Sequence, residues 1–77
     1  MRIRVILHSY LREKLPPEAK GRAEVELPET ATVADLFTRL DLPLQVAWSL
    51  NEQLQRDLSL PLRNGDEVRV FRQGAGG

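Results

Sequence analysis

The chain contains no cysteine. This absence excludes disulfide bonds, thiolate metal ligands, iron–sulfur ligation and a cysteine nucleophile. It is also typical of proteins in reducing compartments, so we expect a cytoplasmic protein. No apolar run approaches the ~20 residues of a membrane-spanning helix. Arg2 and Arg4 interrupt the apolar residues at the N-terminus, so we expect neither a secretory signal nor membrane association.

Net charge and catalytic residues are also missing. Eleven basic and eleven acidic residues cancel, whereas nucleic-acid binders carry a basic excess, so no nucleic-acid partner is expected. The one histidine, His8, has no cysteine or carboxylate cluster at ligand spacing, so no metal site is predicted. Ser9 would face the opposite side of a strand, which excludes a simple triad. Without a glycine-rich phosphate loop, the chain is predicted to bind no ATP by itself. Because no catalytic constellation is present, it is also predicted not to be an enzyme.

Alternating apolar and polar residues predict most of the secondary structure. The pattern has period two at residues 2–8, 22–27, 46–50 and 67–71, and each segment is predicted to be a strand. A short further strand is expected near Leu54 or at residues 58–62. Residues 51–53 and 64–66 are predicted turns, the second because Asn and Gly tolerate positive φ. Trp48 alternates with polar neighbours and is predicted to lie in the core.

Helical spacing occurs at two places. Thr32 can cap a helix whose first turn includes Asp35, and residues 41–43 would end it. Its apolar stripe follows the i, i+3, i+4, i+7 rule, with Val33, Leu36, Phe37 and Leu40. A shorter helical turn is expected at residues 10–15, and the prolines at positions 16 and 17 would stop it.

These elements predict one α+β domain at residues 1–72. A single main helix must pack on one face of a mixed sheet of four to five strands. We expect the first and last strands to be neighbours in the middle, which is the ubiquitin-like β-grasp arrangement. Residues 73–77 are predicted to form a flexible C-terminal Gly-Gly arm.

The glycines are unevenly placed, because three of the five lie among residues 74–77. One interpretation is a frayed end or a cloning remnant. The other is that the carboxylate of Gly77 is the reactive group, since glycine lets the backbone enter narrow sites. The tail by itself leaves both interpretations open.

Three segments resemble one known family. Residues 27–36 (LPETATVADL) resemble the "LPEGATVADLL" helix start of small ubiquitin-like sulfur carriers. Residues 62–68 (LRNGDEV) resemble their "L-x-D-G-D-E-V" turn and last strand, and residues 74–77 (GAGG) resemble their tail. Each motif is weak alone, but the three occur in the family's order along nearly the whole chain. The chain is therefore similar to the ThiS/MoaD family.

The resemblance implies a sulfur carrier in molybdopterin or thiamine biosynthesis, which could act as the non-catalytic small subunit of molybdopterin synthase. An E1-like adenylyltransferase with Mg-ATP would join AMP to Gly77. A sulfur donor of the cysteine desulfurase or rhodanese type would then convert this adduct to a thiocarboxylate, and a synthase subunit would accept the sulfur. Both covalent forms are transient and no cofactor stays bound. Gly74, Ala75 and Gly76 would form the arm that delivers Gly77.

Three departures leave the pathway open. Molybdopterin-type members often have Pro-Pro before the arm, where this chain has Arg72 and Gln73, as in the thiamine type. The long segment at residues 9–21 instead resembles the molybdopterin type. The family's Gly after the third strand is replaced by Glu52. A protein modifier or an interaction module with an inert tail therefore stays as an alternative.

A partner-binding surface is predicted on the outward side of the first and last strands. Apolar side chains are unexpected on a solvated face, and arginines around them suit docking. Phe71 also matches the aromatic residue that family members use before the arm. The simpler interpretation is solvation, because single exposed hydrophobic residues are common. The predicted surface consists of Arg4, Ile6, His8, Arg69 and Phe71.

Overall fold

Five strands form one sheet, and one α-helix covers one of its faces. The computed structural model describes residues 1–43 and 45–72. The elements in chain order are β1 (Arg2–Leu7), β2 (Arg22–Glu26), α1 (Val33–Arg39), β3 (Val46–Leu50), β4 (Gln53–Gln55) and β5 (Glu67–Arg72). Two short 3₁₀ helices, Ser9–Lys14 and Pro17–Ala19, lie between β1 and β2.

The sheet has the strand order β2-β1-β5-β3-β4. The central pair, β1 and β5, is parallel, with Leu7 opposite Val70. The other three pairs, β1–β2, β3–β4 and β3–β5, are antiparallel. The predicted mixed sheet, with the first and last strands side by side in its middle, is therefore confirmed.

The core lies between the sheet and α1. Trp48 is only 3% exposed, and its ring meets that of Phe37 edge to face at a centroid distance of 6.1 Å, a favoured aromatic geometry. Most inward positions of the strands are buried: Ile3, Val5, Leu7, Val25, Val46, Trp48, Val68 and Val70. Burial alternates strictly along β1 and β5, so every second side chain of both strands lies on the side of the sheet away from α1.

The first turn of α1 has partners for all four of its free amides. Thr32 and Asp35 form a capping box, in which the Asp35 N–H donates to the Thr32 hydroxyl. The N–H groups of residues 33 and 34 donate to the carbonyls of Leu60 and Leu58. The N–H of Thr32 donates to the Asp35 carboxylate at 2.8 Å. Because free helix amides are costly when buried, this loop holds the start of the helix in place.

Some details differ from the sequence-based predictions. The helix ends at Arg39, and Leu40 is its C-cap, because Asp41 adopts a positive φ of 54°. Gln53 begins β4 instead of ending a turn, and of the two alternatives for the short strand the one near Leu54 is correct. Residues 58–62 form only an isolated bridge, from Pro61 to Thr32. The predicted arm, residues 73–77, lies outside the described residues.

Candidate partner-docking surface

The side of the sheet away from α1 is called the outer face. It is formed by outward side chains of all five strands. Strand pairing places Ile6 beside Arg69, Arg69 beside Ser49, and Ser49 beside Leu54. Phe71 lies opposite Ala47 in the next row. The register therefore joins residues from distant parts of the sequence into one surface.

One half of the outer face is charged, and most of its arginine and glutamate side chains pair with each other. Arg2 donates through Nε to Glu26 at 3.1 Å, and the same atom lies 3.3 Å from a Glu24 oxygen. The hydrogen bond to Glu26, followed by the charge of Glu24, raises the pKa of Arg2 above its usual value. Nearby, Glu67 is 18% exposed and lies within 4.0 Å of Arg4 and 3.0 Å of Arg69. The carboxylates in this half already have arginine partners.

The other half is mainly apolar and contains an aromatic stack. The rings of His8 and Phe71 are nearly parallel, 9° apart, with centroids separated by 4.9 Å. His8 lies one residue beyond the end of β1, yet its backbone N–H still donates to the Val70 carbonyl at 3.1 Å. Its Nε2 is buried without a hydrogen-bond partner among the described residues. The stack thus fixes both rings where β5 leads into residue 73.

A shallow groove continues the apolar half toward β4. It is lined by Ser49, Glu52, Leu54, Arg69 and Phe71. Leu54 is 75% exposed and lines this groove together with Phe71, so it extends the apolar part of the outer face. Sequence reasoning missed Leu54 as a surface residue. The sequence indicates the surface position of Leu54 only indirectly, because the inference requires the hairpin register that places Leu54 opposite Ser49.

The structure brings together all five residues of the predicted partner-binding surface. Ile6, His8, Arg69 and Phe71 are half-buried, whereas the Arg4 side chain is 62% exposed. Arg69 is fixed by its bond to Glu67 and borders the groove. The other predicted site residues, Gly74 to Gly77, lie outside the described residues.

Within residues 1–43 and 45–72, no three His, Asp or Glu side chains are placed to hold a metal ion. No helix in the same ranges is both long and apolar enough to cross a membrane.

The β-grasp sheet, with parallel first and last strands in its centre, defines a ubiquitin-like protein. The ThiS family model matches residues 7–77. The chain belongs to the ThiS family.

Solved structures with the same fold include SAMP1 and subunits of molybdopterin converting factor. SAMP1 from Haloferax volcanii has a TM-score of 0.74 at 19% identity, covering 100% of both chains. A protein described as molybdopterin converting factor, subunit 1, from Pyrococcus furiosus has 0.75 at 22% identity, covering 94% of this chain and 97% of its own. A complex of subunits 1 and 2 of molybdopterin-converting factor from Helicobacter pylori 26695 has 0.70 at 19% identity, covering 100% of both chains. No curated protein matches the sequence.

Proposed function

We propose that the protein is a sulfur carrier whose Gly77 carboxylate is converted to a thiocarboxylate. The observation that carries the proposal is the ThiS-family match, which extends through Gly77. The arrangement of the outer face supports it, because the apolar half lies where β5 leads toward the tail. Five residues beyond Arg72 reach at most roughly 17 Å, so a partner docked on the outer face can receive Gly77 in its own active site.

The chemistry follows from the weakness of a carboxylate as an acyl donor. An E1-like adenylyltransferase joins AMP to Gly77, which replaces a poor leaving group with a good one. The terminal sulfur of a persulfide on a donor of the cysteine desulfurase or rhodanese type then displaces AMP and forms an acyl disulfide. A second thiol attacks the donor's cysteine sulfur, so that a disulfide forms between these two thiols and the thiocarboxylate of Gly77 is released. The carrier supplies the acyl group and the docking surface, whereas the partner supplies catalytic groups and excludes water. We place this chemistry in the cytoplasm.

The apolar half of the outer face serves as the contact for successive partners. Phe71 and His8 form its centre, Ile6 lies beside Arg69 in the neighbouring row, and Leu54 extends it across the groove. Buried aromatic residues dominate binding energies at interfaces. The adenylyltransferase and the sulfur-accepting subunit therefore bind this surface in turn. Gly77 then enters the active site of the partner that is bound.

Intact-mass measurement tests the carrier function. The chain ending at Gly77 is incubated with an adenylyltransferase, Mg-ATP and a sulfur donor. We expect one oxygen to be replaced by sulfur at the C-terminus. A variant without Gly77 is the matched control, since it keeps the docking surface. Equal sulfur acceptance by this variant would overturn the proposal.

A second candidate is a protein modifier, and a structural similarity favours it. The similar Haloferax volcanii structures include one described as small archaeal modifier protein 1. In this role Gly77 would form an isopeptide bond with a lysine of another protein. The same mass measurement separates the candidates, because a modifier yields a ladder of larger conjugates. No change with any adenylyltransferase would leave a binding module.

A further inference from the structure

The strand β2 forms one edge of the sheet, and its outer side pairs with no other strand among the residues that the structure describes. The N–H of Leu7 in β1 donates to the Gly21 carbonyl at 2.7 Å, so the odd-numbered residues of this strand direct their backbone groups toward β1. Backbone groups alternate between the two sides of a strand, which leaves those of Arg22, Glu24 and Glu26 on the free side. A free edge of this kind is a template for pairing with another strand.

The charged side chains along this edge differ in sign between its two ends. Arg22 is exposed at the start of β2, and within residues 1–43 and 45–72 it forms no ion pair. Toward the other end, Glu24 and Glu26 share the guanidinium of Arg2, at 3.3 Å and 3.1 Å. The N-terminal amine lies within 3.9 Å of Glu26 and Glu29. Three carboxylates thus surround two cations, which leaves this end of the edge negative.

This pattern of signs is complementary to itself in an antiparallel pair of two β2 strands. The free backbone groups of such a pair can bond only where even-numbered residues lie opposite even-numbered residues. The register centred on Ala23 places Arg22 opposite Glu24 of the second copy, and the symmetry repeats this pair. The same register brings Lys20, which precedes the strand, to the level of Glu26 of the second copy.

The neighbouring registers are disfavoured by charge. A pair centred on Arg22 places two arginines directly opposite each other, and a pair centred on Glu24 does the same with two glutamates. Like charges at opposite positions destabilise a strand pair. The register centred on Ala23 also suits the backbone, because its central pair is a non-hydrogen-bonded one with Cα atoms about 4.5 Å apart. Alanine is small enough for this approach.

We propose that two copies of the chain pair through β2, with Ala23 at the two-fold axis. The pairing joins two five-stranded sheets into one continuous sheet. The axis is perpendicular to the sheet, so both outer faces lie on one side and both α1 helices lie on the other. β2 is the edge that pairs because it has five residues, whereas the opposite edge strand, β4, has three. The pairing is independent of any chemistry at the C-terminus.

Sedimentation equilibrium at low ionic strength tests the pairing, with the chain at about 10 µM to about 1 mM because a small interface binds weakly. We expect a reversible equilibrium between monomer and dimer. Arg22→Glu and Glu24→Arg each turn both central pairs into like charges, so each should raise the Kd at least about tenfold. Arg56→Glu is the matched control, because it makes the same charge change at an exposed residue beyond β4 and should leave the Kd unchanged.

An equimolar mixture of Arg22→Glu and Glu24→Arg gives the decisive result. The new carboxylate at position 22 of one chain lies opposite the new guanidinium at position 24 of the other, so the mixture should dimerise although neither variant does so alone. Fluorescence of the buried Trp48 verifies that both variants are folded. A monomer at about 1 mM, a dimer that neither substitution weakens, or a mixture that stays monomeric would each overturn the inference.

Discussion

Replacement of Gly21 by alanine tests the turn that aligns β2 with the sheet centre. Gly21 has a φ of +79°, and a Cβ built there would lie 2.5 Å from the backbone oxygen of Leu7. Such a contact forces the turn or β1 to move. The hydrogen bond from Leu7 to the Gly21 carbonyl, at 2.7 Å, would be weakened by either movement. Gly21→Ala should therefore be clearly destabilising.

The magnitude has two parts. A Cβ in the left-handed region costs about 1–2 kcal/mol, and loss of the hydrogen bond costs about 1 kcal/mol. The sum is about 2–3 kcal/mol, a large part of the ~5–15 kcal/mol that stabilises a typical domain. For a domain of this size each kcal/mol lowers the Tm by about 4–8 °C, so a decrease of roughly 8–24 °C is expected.

Gly65→Ala is the matched control. Its φ is +90°, but a Cβ at this position meets nothing within 4 Å, so only the backbone strain of about 1–2 kcal/mol remains. Urea unfolding followed by Trp48 fluorescence gives both free energies from the midpoint and slope. A loss for Gly65→Ala equal to or larger than that for Gly21→Ala would refute the reasoning, because the clash and the hydrogen bond would then have no measurable effect.

Three further predictions concern docking, helix capping and acid sensitivity. Phe71→Ala should weaken binding to the adenylyltransferase by about 30-fold or more, measured by calorimetry; an unchanged Kd would exclude Phe71 from the interface. Thr32→Ala should reduce the free energy of unfolding by about 1 kcal/mol because the Asp35 N–H loses its acceptor, whereas Thr32→Ser should not; equal losses in urea would contradict the capping role. The Ser59 hydroxyl, then its N–H, lowers the pKa of Asp57, so Ser59→Ala should raise that pKa in an NMR titration. A lowered carboxyl pKa adds stability above its ordinary pKa of ~3.9 that is lost as pH falls through the lowered value, so the unmodified chain should lose more stability there than Ser59→Ala; equal losses would contradict this.

Much of the fold follows from alternation, because burial on one side of a strand imposes period two. That rule fails where the backbone leaves the strand. Leu40 fits the helical spacing, but the positive φ of Asp41 ends α1 before it. Gln53 lies in a strand because Asn51 and Glu52 form the hairpin turn alone, with φ of 50° and 72°. Glutamate gives no sequence signal for that conformation, which usually requires glycine or asparagine.

The docking surface was predictable only where it follows β1 and β5. Once these strands are neighbours, alternation places Ile6 and Arg69 on the same side of the sheet, and the observed register makes them adjacent. Alternation placed His8 and Phe71 on the same face, but the stack of their rings was not predictable, because alternation gives the side of a residue and not its ring contacts. Leu54 required a register across β3 and β4 that only long-range pairing fixes.

The position of β5 has a mechanical consequence for a chain that presents its end to other proteins. This strand is hydrogen-bonded along one edge to β1 and along the other to β3. A force that draws the chain from Arg72 outward acts along β5, and therefore perpendicular to those bonds. Both ladders resist together in shear, instead of opening one bond at a time. A partner can pull on the end of this protein without peeling its last strand from the sheet.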